Sequence, residues 1–313
     1  MIRLFVIFLF IFINELQAQD VHFSQFSKTK SLLNPSLISN QKNDYHVHLQ
    51  RRSQWSSVTV PFNTLSFSFI VKNLYKDFSL AATFLNDIAG DSYFSTNGLN
   101  VSLAKSFDSK DNFFSAAFFT AIYQRSIDLE GLIFLEAEEV SKNNFTFFDI
   151  GIGISNYRKI DRNSSLLFGI SLYHLNTPNQ SFTVSEKASL HPKYIFHSTF
   201  SKTINTKIKF APTFYFSSQN KVRELIIGSG VSYKLTDIID LKSGLYTRMN
   251  DAIFVSFGLK KEDFEVLISY DINTSSFSRA SNSMGGFEFS VNYGWNVIKQ
   301  HEEIKQKICP KYL

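Results

Sequence analysis

A single cysteine, Cys309, stands in a chain of 313 residues, so no internal disulfide can form and the fold carries no covalent staple. Long apolar runs are scarce too. Past residue 18 none approaches the roughly 20 residues that a helix needs to cross a bilayer. Basic residues give a net charge of +5, yet they are scattered, and with no basic run or helix the chain offers no nucleic-acid footprint. Motifs of catalysis are missing as well. Gly228-Ser229-Gly230 lies within a strand pattern and not at an elbow opening a helix, and no helix follows Gly151-x-Gly153 to cradle a phosphate. His46 and His48 share one strand face, but no Cys, Asp or Glu at motif spacing completes a metal site, so histidines lining an interior are the plainer reading. His174 and His191 flank a long connection without a serine nucleophile assigned to them. These absences point to a protein that is no enzyme and has neither metal nor cofactor.

What is present begins with an export signal. Met1-Ile2-Arg3 is basic, residues 4–13 are an apolar run, and Leu16-Gln17-Ala18 is a cleavage site that leaves Gln19 first. No cysteine follows that site, so no lipoprotein anchor is indicated. Cleavage removes one base and one acid, Arg3 and Glu15, and leaves the net charge at +5. The mature chain is heavily aromatic, with 34 Phe and 13 Tyr, a load that strands can spread over a lipid-facing belt.

Residues 285–295 show how. Phe287, Phe289, Val291, Tyr293 and Trp295 alternate with Glu288, Ser290, Asn292 and Gly294, and a strand sends these two sets to opposite faces. The same period runs through segments near 45–52, 62–71, 77–86, 97–106, 112–123, 145–157, 164–175, 193–203, 207–217, 223–234, 240–248, 252–260, 263–272 and 285–297. In the sixth, Phe148, Ile150, Ile152 and Ile154 face away from Asp149, Gly151, Gly153 and Ser155. The fifth is apolar on both faces, so its inward phenylalanines require a plug to touch. Even connections are short and polar, while the odd ones include the long 86–96, 124–144, 176–192 and 273–284. A secreted β-sandwich or propeller would also alternate, with its apolar face inward. Strand length, even count and loop parity favour an all-β fold: a transmembrane antiparallel β-barrel of about 14 strands with both termini periplasmic. In that barrel Ile152→Arg should be costly and Gly153→Ser mild.

The expected organisation is signal peptide 1–18, N-terminal leader or plug 19–43, outer-membrane barrel 44–297 and periplasmic C-terminal tail 298–313. So wide a lumen calls for an occupant. The leader offers His22, Phe23, Phe26, Leu32, Leu33 and the turn signal Asn34-Pro35; the connections 124–144 and 176–192 are the other candidates. Arg51, Asp149, Arg248, Asp271 and Glu288 are expected to point inward, where ions pair with one another or hold a plug or partner. Trp55 reads as an interfacial belt residue.

Short motifs then follow one another in a telling order: Gln19-Asp20-Val21-His22-Phe23-Ser24-Gln25-Phe26, Leu33-Asn34-Pro35-Ser36 and Arg51-Arg52-Ser53-Gln54-Trp55. Further on come Phe148-Asp149-Ile150-Gly151, His174-Leu175 with Pro178, His191-Pro192, Tyr246-Thr247-Arg248 with Asp251-Ala252, Ser269-Tyr270-Asp271, Gly286-Phe287-Glu288 and Cys309-Pro310. Their succession, over nearly the whole mature chain, resembles the PorP/SprF family of Bacteroidetes outer-membrane proteins. Val21, Ser36 and Thr247 depart from that family's pattern. The resemblance implies a fourteen-stranded outer-membrane barrel of the type IX secretion system, tied in gliding species to surface adhesins. Its implied partners are secreted type IX cargo or adhesin domains, other type IX components and outer-membrane lipid. From another class comes the alternative of a transport barrel for apolar small molecules, like the fatty-acid channels with an Asn-Pro in an N-terminal hatch. An outer-membrane hydrolase would need Ser and His within hydrogen-bond reach on adjacent strands.

Overall fold

The computed structural model describes residues 20–56, 60–90, 93–129, 142–183, 187–275 and 278–297. The signal peptide, the tail from residue 298 with Cys309, and most of the fifth connection lie outside them. Alternation becomes strands throughout: β1 Tyr45–Gln54, β2 Phe62–Tyr75, β3 Phe78–Ala89, β4 Phe94–Ser109, β5 Asn112–Ser126, β6 Asn144–Lys159 and β7 Ser164–Tyr173. They continue as β8 Lys193–Thr203, β9 Ile208–Gln219, β10 Val222–Lys234, β11 Ile239–Arg248, β12 Ala252–Lys261, β13 Phe264–Asn273 and β14 Met284–Trp295. Each pairs antiparallel with its sequence neighbours, and β1 pairs with β14 from Tyr45↔Trp295 to Gln54↔Gly286, closing the barrel. Closure satisfies every strand's backbone donors and acceptors and abolishes edges, the condition for strands to stand in hydrocarbon.

The outer face is oily. Along β6, Phe148 and Ile152 are 65% and 44% exposed, while Asp149 is 0% exposed on the inner face. Inward positions elsewhere carry small hydroxyls, among them Ser66, Ser68, Ser115, Ser155, Ser171 and Ser290, all buried. β5 shows why its doubled phenylalanines are tolerated: Phe118 faces out, whereas Phe119 is buried and meets Tyr173 edge-on at 5.0 Å.

Two expectations need correction. The connection placed at 86–96 shrinks to residues 90–93, because Asn86 and Asn97 remain in register and bond to one another at 2.8 Å, extending both strands. Arg51 does not enter the lumen. It is exposed, and its neighbour Arg52 is buried, because inward positions on β1 run His48, Gln50, Arg52.

Residues 20–43 fill the lumen. After Phe23 and Phe26 comes a helical turn, α1 (Lys30–Leu33), then a 3₁₀ turn (Pro35–Ile38) started by Pro35, whose missing N–H costs nothing at that position. The segment crosses from rim to rim. Asp20 bonds to His174 and Lys193 beside the connections 174–192, while Asp44 meets Asn296 and Lys72 at the short-turn rim, where Tyr45 and Trp295 also lie. At residue 20 the chain therefore stands at the rim opposite Trp295.

Ile152→Arg, which sets a cation on the oily face at mid-strand, is expected to cost ~2–4 kcal/mol in unfolding titrations from lipid bilayers.

Candidate functional site

The leader is held at three places, each made by inward side chains that alternation delivers from distant strands. The first is ionic. Arg52 and Glu288 face each other across the β1–β14 closure and pair directly, and Arg52 Nη2 lies 3.0 Å from Asp271 Oδ2. Arg248 reaches Glu224 at 2.9 Å, Asp251 at 3.0 Å and Asp271 at 3.4 Å. Ser24 of the leader sits in the middle. Its hydroxyl donates to Asp271 at 2.6 Å and accepts from Arg52 at 2.6 Å and Arg248 at 2.8 Å. The Ser24 and Gln25 amides both donate to Glu288, and the Gln25 side chain bridges Ser269 at 3.1 Å and Ser290 at 2.6 Å. Ions this deeply buried are costly unless partners surround them, and the leader supplies part of that partnering. His22 approaches Arg52 at 3.5 Å. Nearer the other rim, Lys28 pairs with Glu265, whose second oxygen lies 3.0 Å from Lys242.

The second is apolar with a polar clamp. Phe26 lies 5.0 Å from the Tyr215 ring and 6.3 Å from Tyr246, and joins Leu33, Leu37, Phe119, Tyr173 and Phe254 in one buried cluster. Asn34 caps the 3₁₀ turn by accepting from the Ser36 amide at 3.0 Å, while its Nδ2 donates to the carbonyls of Ile154 at 2.9 Å and Ile170 at 3.2 Å. The turn reaches the wall because Gly153 and Gly169 leave room. A Cβ on Gly153 would overlap Asn34 Oδ1 and come within 2.8 Å of Pro35, and one on Gly169 would lie 2.7 Å from Asn34 Nδ2. The expected mildness of Gly153→Ser is therefore corrected: a side chain there collides with the clamp.

The third lies at the long-loop rim. His174, at φ 58, occupies a backbone region that non-glycine residues rarely adopt, and its two ring nitrogens meet Asp149 at 2.9 Å and Asp20 at 2.7 Å. Burial alone would depress this imidazole; the Asp20 charge and the hydrogen bonds to Asp149 and Asp20 outweigh it and push the pKa up to about 9. Asp20 is likewise penalised by burial, yet His174 and Lys193 hold its carboxyl below the ordinary range.

The structure thus gathers His22, Phe23, Phe26, Asn34, Pro35, Arg248, Asp251, Asp271 and Glu288 around the leader, with Asp149 and His174 at its start. Trp55 stands apart at the loop rim, edge-on to Phe62 at 4.5 Å. His48 bonds to Asn292 and Gln50, and among the described residues no group of His, Cys, Asp or Glu forms a metal site. With both nitrogens on carboxylates, His174 has none left for a serine. Sequence reading missed Arg52, Ser24, Glu224, Asp20 and His197, whose Nε2 lies 3.1 Å from Asn34 Nδ2. For Arg52 the signal was available: the parity that turns His48 inward turns Arg52 inward as well.

Comparison with known proteins places the geometry in context. The family model for type IX secretion system membrane protein PorP/SprF matches residues 15–293. Among solved structures, the Ralstonia pickettii toluene transporter TbuX superposes with a TM-score of 0.52 at 7% identity, covering 84% of this chain and 92% of that one. The CymD monoaromatic hydrocarbon channel gives 0.51 at 8%, covering 86% and 93%. At those identities the likeness concerns the fold alone. No curated protein matches the chain.

Arg52→Met strips Glu288 of its counter-charge and should cost about 3–5 kcal/mol, whereas Arg51→Met on the outer face should stay within about 0.5 kcal/mol; thermal or denaturant unfolding in detergent separates the two. The rim contact should also titrate. The His174 contribution is complete below the ordinary value of 6.5 and disappears as pH rises through about 9; that of Asp20 is present above 3.8 and disappears as pH falls. The protection of residues 20–24 against hydrogen exchange, measured relative to the intrinsic exchange rate at each pH, is therefore expected to fall between about pH 7 and about pH 10, and His174→Gln should remove that pH dependence.

Proposed function

Because the chain belongs to the PorP/SprF family of type IX secretion system membrane proteins, we propose that it is a non-enzymatic outer-membrane platform that binds secreted cargo, such as an adhesin's C-terminal domain, or a machinery partner at the cell surface. The observation that carries this reading is the filled lumen. A leader fastened by buried ions, an apolar cluster and the Asn34 clamp blocks the direct path through the barrel, so function falls to the rims. The strand ends that bound the connections 127–143 and 174–192 share one rim with the start of the leader, and barrels of this kind turn their long loops outward. The platform then faces the exterior, residues 1–18 serve as the export signal, and the tail from residue 298 lies in the periplasm.

A second reading is a transport barrel for apolar small molecules. It draws support from the fold likeness to TbuX, described as a toluene transporter, and requires the leader to shift.

Affinity capture of the tagged full-length protein from native outer membranes, with mass spectrometry, tests both. The platform reading expects a secreted protein or a type IX component to copurify and to be lost when the connection 174–192 is shortened. A preparation carrying apolar small molecules and no protein, from cells whose type IX secretion and adhesin display are unchanged on deleting the gene, would overturn it.

A further inference from the structure

The leader fills the lumen unevenly. Its 3₁₀ turn packs against β2 to β6, whose inward Ser66, Ala81, Ala104 and Ser115 are buried. On the other side the wall is only partly covered: Ala211 of β9, Gly230 and Ser232 of β10 and Lys242 of β11 keep some of their surface, and Ser27 is exposed although Phe26 beside it is buried. A Cβ on Gly230 would meet nothing closer than the Tyr246 hydroxyl at 3.3 Å. Toward the long-loop rim the buried Arg248 cluster closes the lumen, so this gap beside the leader opens as a mouth at the short-turn rim.

The mouth is basic. Ser232 is in register with Lys209 on one side and Lys242 on the other, so these two inward lysines stand on one cross-strand row two strands apart, ~10 Å at the backbone. Lys242 opposes Gly258, and Lys260 is the next inward residue on β12. The leader adds Lys28 and Lys30. Against these lysines stand two inward carboxylates. Glu265 is shared by Lys28 and Lys242, while Asp240 opposes Lys260 in register but forms no ion pair with it. Lys30 donates only to uncharged groups, the Asn40 carbonyl at 3.4 Å and Gln41 Oε1 at 2.8 Å. Among the described residues Lys30, Lys209 and Lys260 thus have no carboxylate within ion-pairing distance, and positive charge focused by the walls of a cleft draws anions.

We propose that this mouth binds an acidic segment of a protein partner, with successive carboxylates on Lys30, Lys209 and Lys260. The lysines face the lumen, so headgroups of the surrounding lipid do not reach them. Their charges are spread over three strands and the leader, farther apart than one phosphate or one carboxylate can span, whereas a chain of carboxylates meets them in turn. The small side chains at Ala211 and Gly230 leave that chain room beside Ser27. The surface is separate from the one proposed for cargo and lies at the opposite rim, which is the periplasmic one in the orientation given above.

Fluorescence anisotropy on the full-length protein in nonionic detergent tests the proposal, with labelled octaglutamate and octaglutamine peptides as probes; the readout does not depend on which way the barrel faces in a membrane. Octaglutamate should bind about tenfold or more tighter than octaglutamine and be released in about 1 M salt, where the screening length is about 3 Å. Lys209→Glu together with Lys260→Glu, at an unchanged melting temperature, should weaken octaglutamate by about tenfold or more. Lys202→Glu together with Lys261→Glu makes the same charge change on the outer face of that rim, where these residues are in register with the exposed Phe210 and Phe264, and should leave the affinity unchanged. Lys30→Gln gives the same test from the leader if the inner pair does not fold. Equal binding of the two peptides, an equal effect of the inner and outer pairs, or no binding at all overturns the proposal. So does displacement of octaglutamate by inorganic phosphate at equal concentration, which marks a small-anion site, or by phosphatidylglycerol added to the detergent, which marks a lipid site.

Discussion

Closing fourteen strands into one sheet settles the backbone and leaves an interior that wall side chains cannot fill. Everything inside the barrel answers that constraint. A narrower barrel packs its own side chains across the axis, whereas a wider one keeps a water channel. Here the filling comes from residues 20–43, and the wall is shaped to receive them. Serines occupy inward positions where the leader's backbone runs close, glycines the positions where Asn34 and Pro35 touch the wall, and ionic residues the stretch where Ser24 and Gln25 turn.

How much of this was legible from the chain follows from the range of each interaction. The face to which a side chain points depends on its neighbours two residues away, so Phe148, Ile150, Ile152 and Ile154 revealed the barrel directly. Arg51 and Arg52 defeated the same rule only because they were weighed as a motif and not by parity. The connection at 90–93 was read as longer because Asn86, Asp87, Ser95 and Thr96 look like loop residues; tertiary pairing keeps them in strands, with Asp87 and Thr96 facing the polar interior and Asn86 and Ser95 on the outer face near the rim. The Gly153 contact was beyond local reading. Its crowding comes from Asn34 and Pro35, far earlier in the chain, and no local pattern ties those positions together.

The electrostatics follow from the same geometry. Arg52 and Arg248 face Glu224, Asp271 and Glu288 inside a wall where water is scarce, with the half-exposed Asp251 at the rim, so acid is in excess. The leader's amides at Ser24 and Gln25 balance part of that excess by donating to Glu288. Main-chain donors at a fixed turn are the cheapest counterparts available, because they bring no charge of their own that a different leader position would leave stranded. This accounts for a serine at the centre of the cluster: its hydroxyl serves two arginines and one carboxylate without occupying more space than the turn allows.

The leader's fastening sets what either a conduit or the proposed platform would require. To pass a solute along the axis, residues 20–43 would have to leave, exposing the Phe26 cluster to water and leaving Glu288 and Asp271 short of donors in a buried setting. Each of those losses is a matter of kcal/mol, and they fall together because Ser24, Phe26 and Asn34 belong to one short segment. The start of that segment is held differently, by a titratable pair at the rim where the long connections gather. A partner that settles on this rim meets the chain where it is tied by few contacts, while the lock below stays intact. Binding at the rim leaves the closed lumen intact, whereas axial transport requires the leader to move.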